Sequence, residues 1–119
     1  MTVLIVDDNA GVRRLLRRAV LDIASMVWEC SDGSEALAQY DNRRPDIVLM
    51  DVRMPRVDGL AATRQICRLH PTARIVVVTD YDDQDLREAA SEAGASAYVL
   101  KQNITELAGL IRTLVQQSR

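Results

Sequence analysis

Five short apolar runs rich in β-branched residues recur along the chain, each followed by a longer segment with helical spacing, and this alternation leaves few folds open. The runs are VLIV (3–6), VWEC (27–30), DIVLM (46–50), RIVVV (74–78) and AYVL (97–100), and their length and composition predict strands. Between them, Val12, Leu15, Leu16, Ala19 and Ile23, then Ala36, Leu37 and Tyr40, then Leu60, Thr63, Ile66 and Cys67 keep the spacing of helix faces. Leu86, Ala89, Ala90 and Ala93 repeat it before Gly94 ends the fourth helix. Asn103, with Glu106 three residues on, is the expected cap of a fifth helix whose buried stripe is Ile104, Leu107, Ala108, Ile111, Leu114 and Val115. Leu110 falls off that stripe and is a candidate interface residue. Strands that are apolar on both sides belong in a parallel sheet covered on both faces. The expected architecture is therefore a three-layer α/β/α sandwich with right-handed crossovers.

A chain of 119 residues, 48% apolar and 27% charged, has the size and composition of one globular domain. The expectation is a single domain over residues 1–119, with no output domain in this chain. A formal net charge of −2 gives no general attraction to nucleic acid or to an anionic membrane, so direct binding to either is not expected. Cys30 and Cys67 lie in apolar-periodic segments without metal or disulfide spacing and read as reduced core residues. With no apolar stretch of about 18 residues and no basic region ahead of an apolar signal core, the expected location is the cytoplasm.

In VLMDVRMPRVDG (48–59) an apolar strand stops abruptly at Asp51 and turn chemistry follows. A parallel sheet gathers its strand ends on one edge, where such folds bind ligands. That edge should hold Asp7 and Asp8 after the first strand, Asp51 after the third, Thr79 after the fourth and Lys101 after the fifth. Each has an ordinary explanation alone: Asp8 as a helix cap, Asp51 as a turn residue, Thr79 as a strand residue, Lys101 as a solvated charge. Together, three crowded acids repel one another unless a cation shares the site. Carboxylates with room for water suit Mg²⁺, which completes its octahedron with phosphate oxygens. A carboxylate also serves as nucleophile in phosphoryl transfer, with a lysine and a hydroxyl stabilising the equatorial oxygens. Asp51 is the best nucleophile by its place. Pro55 and the Asp58-Gly59 pair are expected to shape the following turn so that the Arg53 carbonyl faces the metal.

With the Asp7-Asp8 pair, DVRMPRVDG around Asp51, Thr79 after RIVVV, and YVLK ending in Lys101, the whole chain resembles the receiver domain of two-component response regulators. The resemblance implies a flavodoxin-like (βα)5 fold with sheet order 2-1-3-4-5. It implies that Asp51 accepts a phosphoryl group from a cognate histidine kinase, that Asp8, Asp51 and the Arg53 carbonyl bind Mg²⁺ directly, and that Asp7 acts through a metal-bound water. Thr79 and Tyr98 would form the switch, which acts on an output domain or effector protein and favours a phosphorylation-dependent homodimer. Such a protein is a phosphoacceptor regulator of transcription rather than an enzyme. Segments GASAYVLK, NITELAGLI and TDYDD are most similar to receivers of the NarL/LuxR type.

Two departures from the family pattern stand out. Asp80 follows the switch hydroxyl where the family often has a small residue, and Gln102 follows the lysine where it often has proline. Asp80 would weaken the approach of an anion unless its side chain points away, which keeps open a degenerate receiver that only binds partners. Arg53 and Tyr81, each two residues past a site residue, should border the path of attacking water. Arg13, Arg14, Arg17 and Arg18 make a basic helix side, by default solvated and otherwise a docking face. His70 has no acidic partner nearby in sequence, and Trp28 reads as packing. A flavin binder on the same fold is disfavoured by acids in DDNAG, where a phosphate loop needs glycine and hydroxyl donors. An aspartate phosphatase would carry its nucleophile after the first strand.

Overall fold

The computed structural model describes residues 1–54 and 56–117, so the torsional role expected of Pro55 lies outside the described residues. The strands are β1 (Thr2–Val6), β2 (Met26–Cys30), β3 (Ile47–Met50), β4 (Ile75–Thr79) and β5 (Ala97–Leu100), all parallel in the order β2-β1-β3-β4-β5. The helices between and after them are α1 (Ala10–Ala19), α2 (Gly33–Arg43), α3 (Gly59–Leu69), α4 (Gln84–Ala93) and α5 (Leu107–Gln117). The expected five strands and sheet order are present, with ends shifted by a residue or so.

Strand alternation divides the core. Val3, Ile5, Ile47, Leu49, Val76 and Val78 point to one face and pack with Leu16 and Val20 and with Leu107 and Ile111 of α5. Leu4, Val6, Val48, Met50 and Ile75 point to the other and meet Ala36, Tyr40, Ala62 and Ile66. The central strands are apolar at successive positions because both their faces are covered. A smaller cluster of Val52, Val77 and Ala90 lies under α4, whose small side chains bury little area there.

Four local expectations change. Leu15 is 54% exposed instead of buried, because α1 packs along Val12, Leu16 and Ala19 and the residue before Leu16 is turned about 100° away. Ile23 lies beyond the end of α1 and reaches the core from the connecting segment. Asn103 does not cap α5. It sits at φ −104° and ψ 26° within a 3₁₀ segment, Lys101–Glu106, and α5 begins at Leu107. Tighter i→i+3 turns can occupy the first N–H groups of a helix that lacks a side-chain cap. Leu110, expected off the buried stripe, is half-buried and packs against the α1/α5 core.

Among the described residues, no helix is long and apolar enough to cross a membrane.

Candidate functional site

Asp7 and Asp51 stand one step past their strands yet remain tied into the sheet. The Asp7 N–H donates to the Cys30 carbonyl at 3.1 Å, and the Asp51 N–H donates to the Val6 carbonyl at 2.9 Å. Both carboxylates therefore rest on backbone as rigid as the strands themselves. Asp7 is buried, Asp51 is 8% exposed, and Asp8 is exposed. The expected alternative for Asp8, a helix cap, is taken by Asn9, whose side chain accepts the Val12 N–H at 3.0 Å. Asp8 is left at the rim of the acidic group.

Ligand oxygens of Asp7, Asp8 and Asp51 all lie within 4.8 Å of one another. Lys101 reaches in from the end of β5, with its Nζ 3.3 Å from Asp7 Oδ2 and 3.4 Å from Asp51 Oδ1. It is also 3.8 Å from Asp80 Oδ2, so the exposed Asp80 carboxylate faces the site lysine rather than pointing away. Asp51 Oδ1 accepts the Val52 N–H at 2.9 Å, and Asp7 Oδ1 accepts the Asn9 N–H at 2.9 Å. Asp7 Oδ2 is buried and accepts no hydrogen bond of good geometry despite the nearby ammonium.

The electrostatics show a shortage of positive charge. Burial, reinforced by the charge of Asp7, pushes the Asp51 carboxyl up to about 6. Burial raises Asp7 as well, against the pull of the Asn9 N–H and Lys101. For Lys101 burial favours the neutral amine, but the charges of Asp51 and Asp7 outweigh it and raise its value. One ammonium against three site carboxylates leaves the group short of cation. A hard dication fits such an all-oxygen donor set.

The β3–α3 loop is pressed hard against the end of β3. A Cβ on Gly59 would lie 1.7 Å from the Asp51 carbonyl oxygen, so only glycine permits this approach. The Gly59 N–H closes the loop on the Val52 carbonyl at 2.7 Å, and Asp58 caps α3 through the Ala61 N–H at 2.8 Å. Arg53 lays its guanidinium 4.4 Å from the centroid of the Tyr81 ring. Thr79 is fully buried, and its Oγ1 accepts the Tyr81 N–H at 3.3 Å. The Tyr98 hydroxyl donates to the Tyr81 carbonyl at 2.6 Å, while Arg87 covers the Tyr98 ring at 4.5 Å and pairs with Asp82 at 3.2 Å.

Some residues differ from their sequence reading. His70 has an acidic partner after all, Asp41 at 2.6 Å, brought to it by the packing of α2 beside α3. The basic side of α1 is divided. Arg13 and Arg17 pair with Glu29 at 2.9 and 2.6 Å, and Arg14 and Arg18 are exposed. Arg13 also donates to the Asp7 carbonyl at 2.8 Å and so braces the acidic turn. Sequence reasoning missed that role and the close approach of Gly59, since each depends on a partner distant along the chain.

The family model for the response regulator receiver domain matches residues 3–112. An uncharacterized transcriptional regulatory protein, YhcZ of Bacillus subtilis (strain 168), is 40% identical over 115 residues, covering 95% of this chain and 53% of that protein. The response regulator GacA of Pseudomonas viridiflava is 36% identical over 120 residues, covering 98% and 56%. The chain thus spans about half the length of these curated relatives. A solved LuxR-family two-component response regulator from Aurantimonas sp. SI85-9A1 superposes with a TM-score of 0.90 at 34% identity, over 99% of this chain and 86% of that one. On the match over nearly its whole length and on the shared fold, the chain belongs to the response regulator receiver domain family.

Proposed function

We propose that Asp51 is the phosphoacceptor of a two-component signalling protein and that a histidine kinase supplies the phosphoryl group. The observation that carries this reading is the placement of Asp51 beside Asp7 and Asp8 with Lys101 at 3.4 Å. A carboxylate oxygen of Asp51 forms the new bond to phosphorus as the bond to the donor's imidazole nitrogen breaks, and the imidazole departs with the electron pair. Lys101 then pairs with a phosphoryl oxygen, and Thr79 donates its hydroxyl to another. Asp8, Asp51 and the Arg53 carbonyl would hold Mg²⁺ directly, and Asp7 would hold it through a water. Bound there, Mg²⁺ would offset the crowded carboxylates and the charge spread over the phosphoryl oxygens.

In this reading Thr79 and Tyr98 carry the signal. Drawing the Thr79 hydroxyl toward the phosphoryl group releases its bond from the Tyr81 N–H, and Tyr98 hangs from the carbonyl of that same residue. Such differential contact is what shifts a conformational equilibrium. The face of α4, β5 and α5 then associates with a second copy or acts on an output module. The names of the relatives support transcription as the regulated process. Incubation with acetyl phosphate and Mg²⁺, read by intact mass and by sedimentation, should show one added phosphate and self-association. An unmodified mass under these conditions would remove the acceptor reading, and a phosphorylated monomer would remove the dimer.

The Arg53–Tyr81 stack sets the lifetime of the phosphorylated state. The two residues follow the ends of adjacent strands, so their stack bridges the β3 and β4 sides of the site and restricts water. Loss of phosphate from Arg53→Ala and from Tyr81→Ala should each be faster than wild type by about 3-fold or more. Because each change removes the same contact, the double variant should be little faster than either single one. Unchanged loss in both single variants would exclude the stack as a barrier.

A further inference from the structure

Asp32 is a buried carboxylate that the phosphoryl chemistry does not use. It lies in the β2–α2 connection, is 5% exposed, and caps α2 by accepting the Ser34 N–H at 3.2 Å. Capping alone does not require burial. The same oxygen also accepts the Val57 N–H at 3.3 Å, from a loop 25 residues away, and its second oxygen meets Arg56 Nε at 3.0 Å. The backbones are equally close, since a Cβ on Gly33 would lie 2.2 Å from the Val57 carbonyl oxygen.

We propose that Asp32 is a positioning residue that fixes the far side of the β3–α3 loop and thereby presets the loop for the divalent cation. The inference rests on the reading that the Arg53 carbonyl joins Asp8 and Asp51 as a metal ligand. The near side of the loop is already closed by the Gly59 N–H on the Val52 carbonyl. Asp32 holds the opposite side through the Val57 N–H, and Arg53 lies on the stretch between these anchors. Without Asp32, the stretch samples more conformations, and binding a cation must bear the cost of ordering it. Asp51 itself is held by the sheet and by the Val52 N–H, so the acceptor keeps its place. The effect should therefore fall on the cation concentration required and not on the rate at saturation.

Asp32→Ser retains a helix-capping hydroxyl but is too short to span to Val57. It should weaken Mg²⁺ binding, measured by calorimetry on the unphosphorylated domain, by about tenfold. Its phosphorylation rate at saturating Mg²⁺ should stay within about twofold of wild type, since the acceptor is positioned independently. Amide exchange should accelerate over residues 52–54 and 56–58 and stay unchanged through α2. Asp32→Asn retains an acceptor oxygen for both N–H groups and should restore affinity and protection. Arg56→Ala, which removes a largely exposed side chain, should bind Mg²⁺ as wild type does. Wild-type affinity or unchanged loop exchange in Asp32→Ser would overturn the proposal. So would an Asp32→Asn protein as impaired as Asp32→Ser, because the effect would then belong to charge and not to the tether. Calorimetry and exchange need no phosphorylation, so they decide the role of Asp32 even if the wild-type domain takes up no phosphate.

Discussion

Asp51→Asn is expected to abolish phosphate uptake and, in the same protein, to make the unphosphorylated fold more stable at neutral pH. The substitution keeps the shape of the side chain and removes the nucleophile. It also removes a charge that burial and Asp7 hold unfavourably, as the rise of the carboxyl from 3.8 to about 6 records. Over that interval the folded state binds more protons at this group than the unfolded chain does, so stability falls as pH rises and the loss is complete above about pH 6. A rise of about two pH units corresponds to ~3 kcal/mol at most. Asp7, also raised, acts in the same sense. The contribution of Lys101 also falls with rising pH, but in a separate alkaline window: its raised value gives stability that is full below the ordinary lysine range and lost only as pH passes its folded value. It leaves the acidic window unaltered.

Thermal unfolding near pH 4 and near pH 7.5, about the ends of this window, checks the expectation. The variant should melt several degrees above wild type at the higher pH and close to it at the lower. Mg²⁺ should narrow the neutral-pH difference, since a ligand stabilises only the folded form that binds it. A variant less stable than wild type at neutral pH would show that the carboxylate is not under electrostatic stress. A variant that still gained phosphate would exclude Asp51 as the acceptor.

Gly59→Ala is expected to damage both the fold and the site, against the direction that helix propensity alone predicts. Alanine is favoured over glycine within a helix by about 1 kcal/mol. Here the added Cβ meets the Asp51 carbonyl oxygen at 1.7 Å and its carbon at 2.7 Å, and both are backbone atoms of Asp51 itself. Either the start of α3 or the end of β3 must move. The expected cost is about 3 kcal/mol or more, well above the propensity gain. Phosphorylation should fall with it, because displacement of the Asp51 peptide moves the carboxylate. Gly109→Ala is the matched control in α5, where nothing lies within 4 Å of the added atom. It should stabilise by about 0.5 to 1 kcal/mol. Chemical denaturation of the pair gives both values, and a Gly59→Ala protein as stable as wild type would mean that the loop is far softer than its geometry implies.

Legible in the sequence were the alternation of strands and helices, the parallel sheet and the residues gathered at its C-terminal edge. Burial leaves a local record: VLIV and IVVV are apolar at successive positions because both faces are covered, and Asp7, Asp51 and Lys101 follow their strands directly while Thr79 ends its own. Tertiary structure alone decided how close the elements come. Leu15 fits a helical stripe in sequence yet is exposed, because one short helix offers the sheet a single line of contact. Asn103 and Glu106 spell a cap, yet the chain takes 3₁₀ turns after β5. Asp32 draws no notice in the sequence and Gly59 reads as an ordinary turn glycine until α2 and α3 are packed, when one carboxylate meets Val57 and one missing Cβ makes room for Asp51. Periodicity encodes which side of an element is buried, a property of neighbouring residues. The separation between two backbones is set by all the side chains packed between and around them, and no local stretch of sequence contains it.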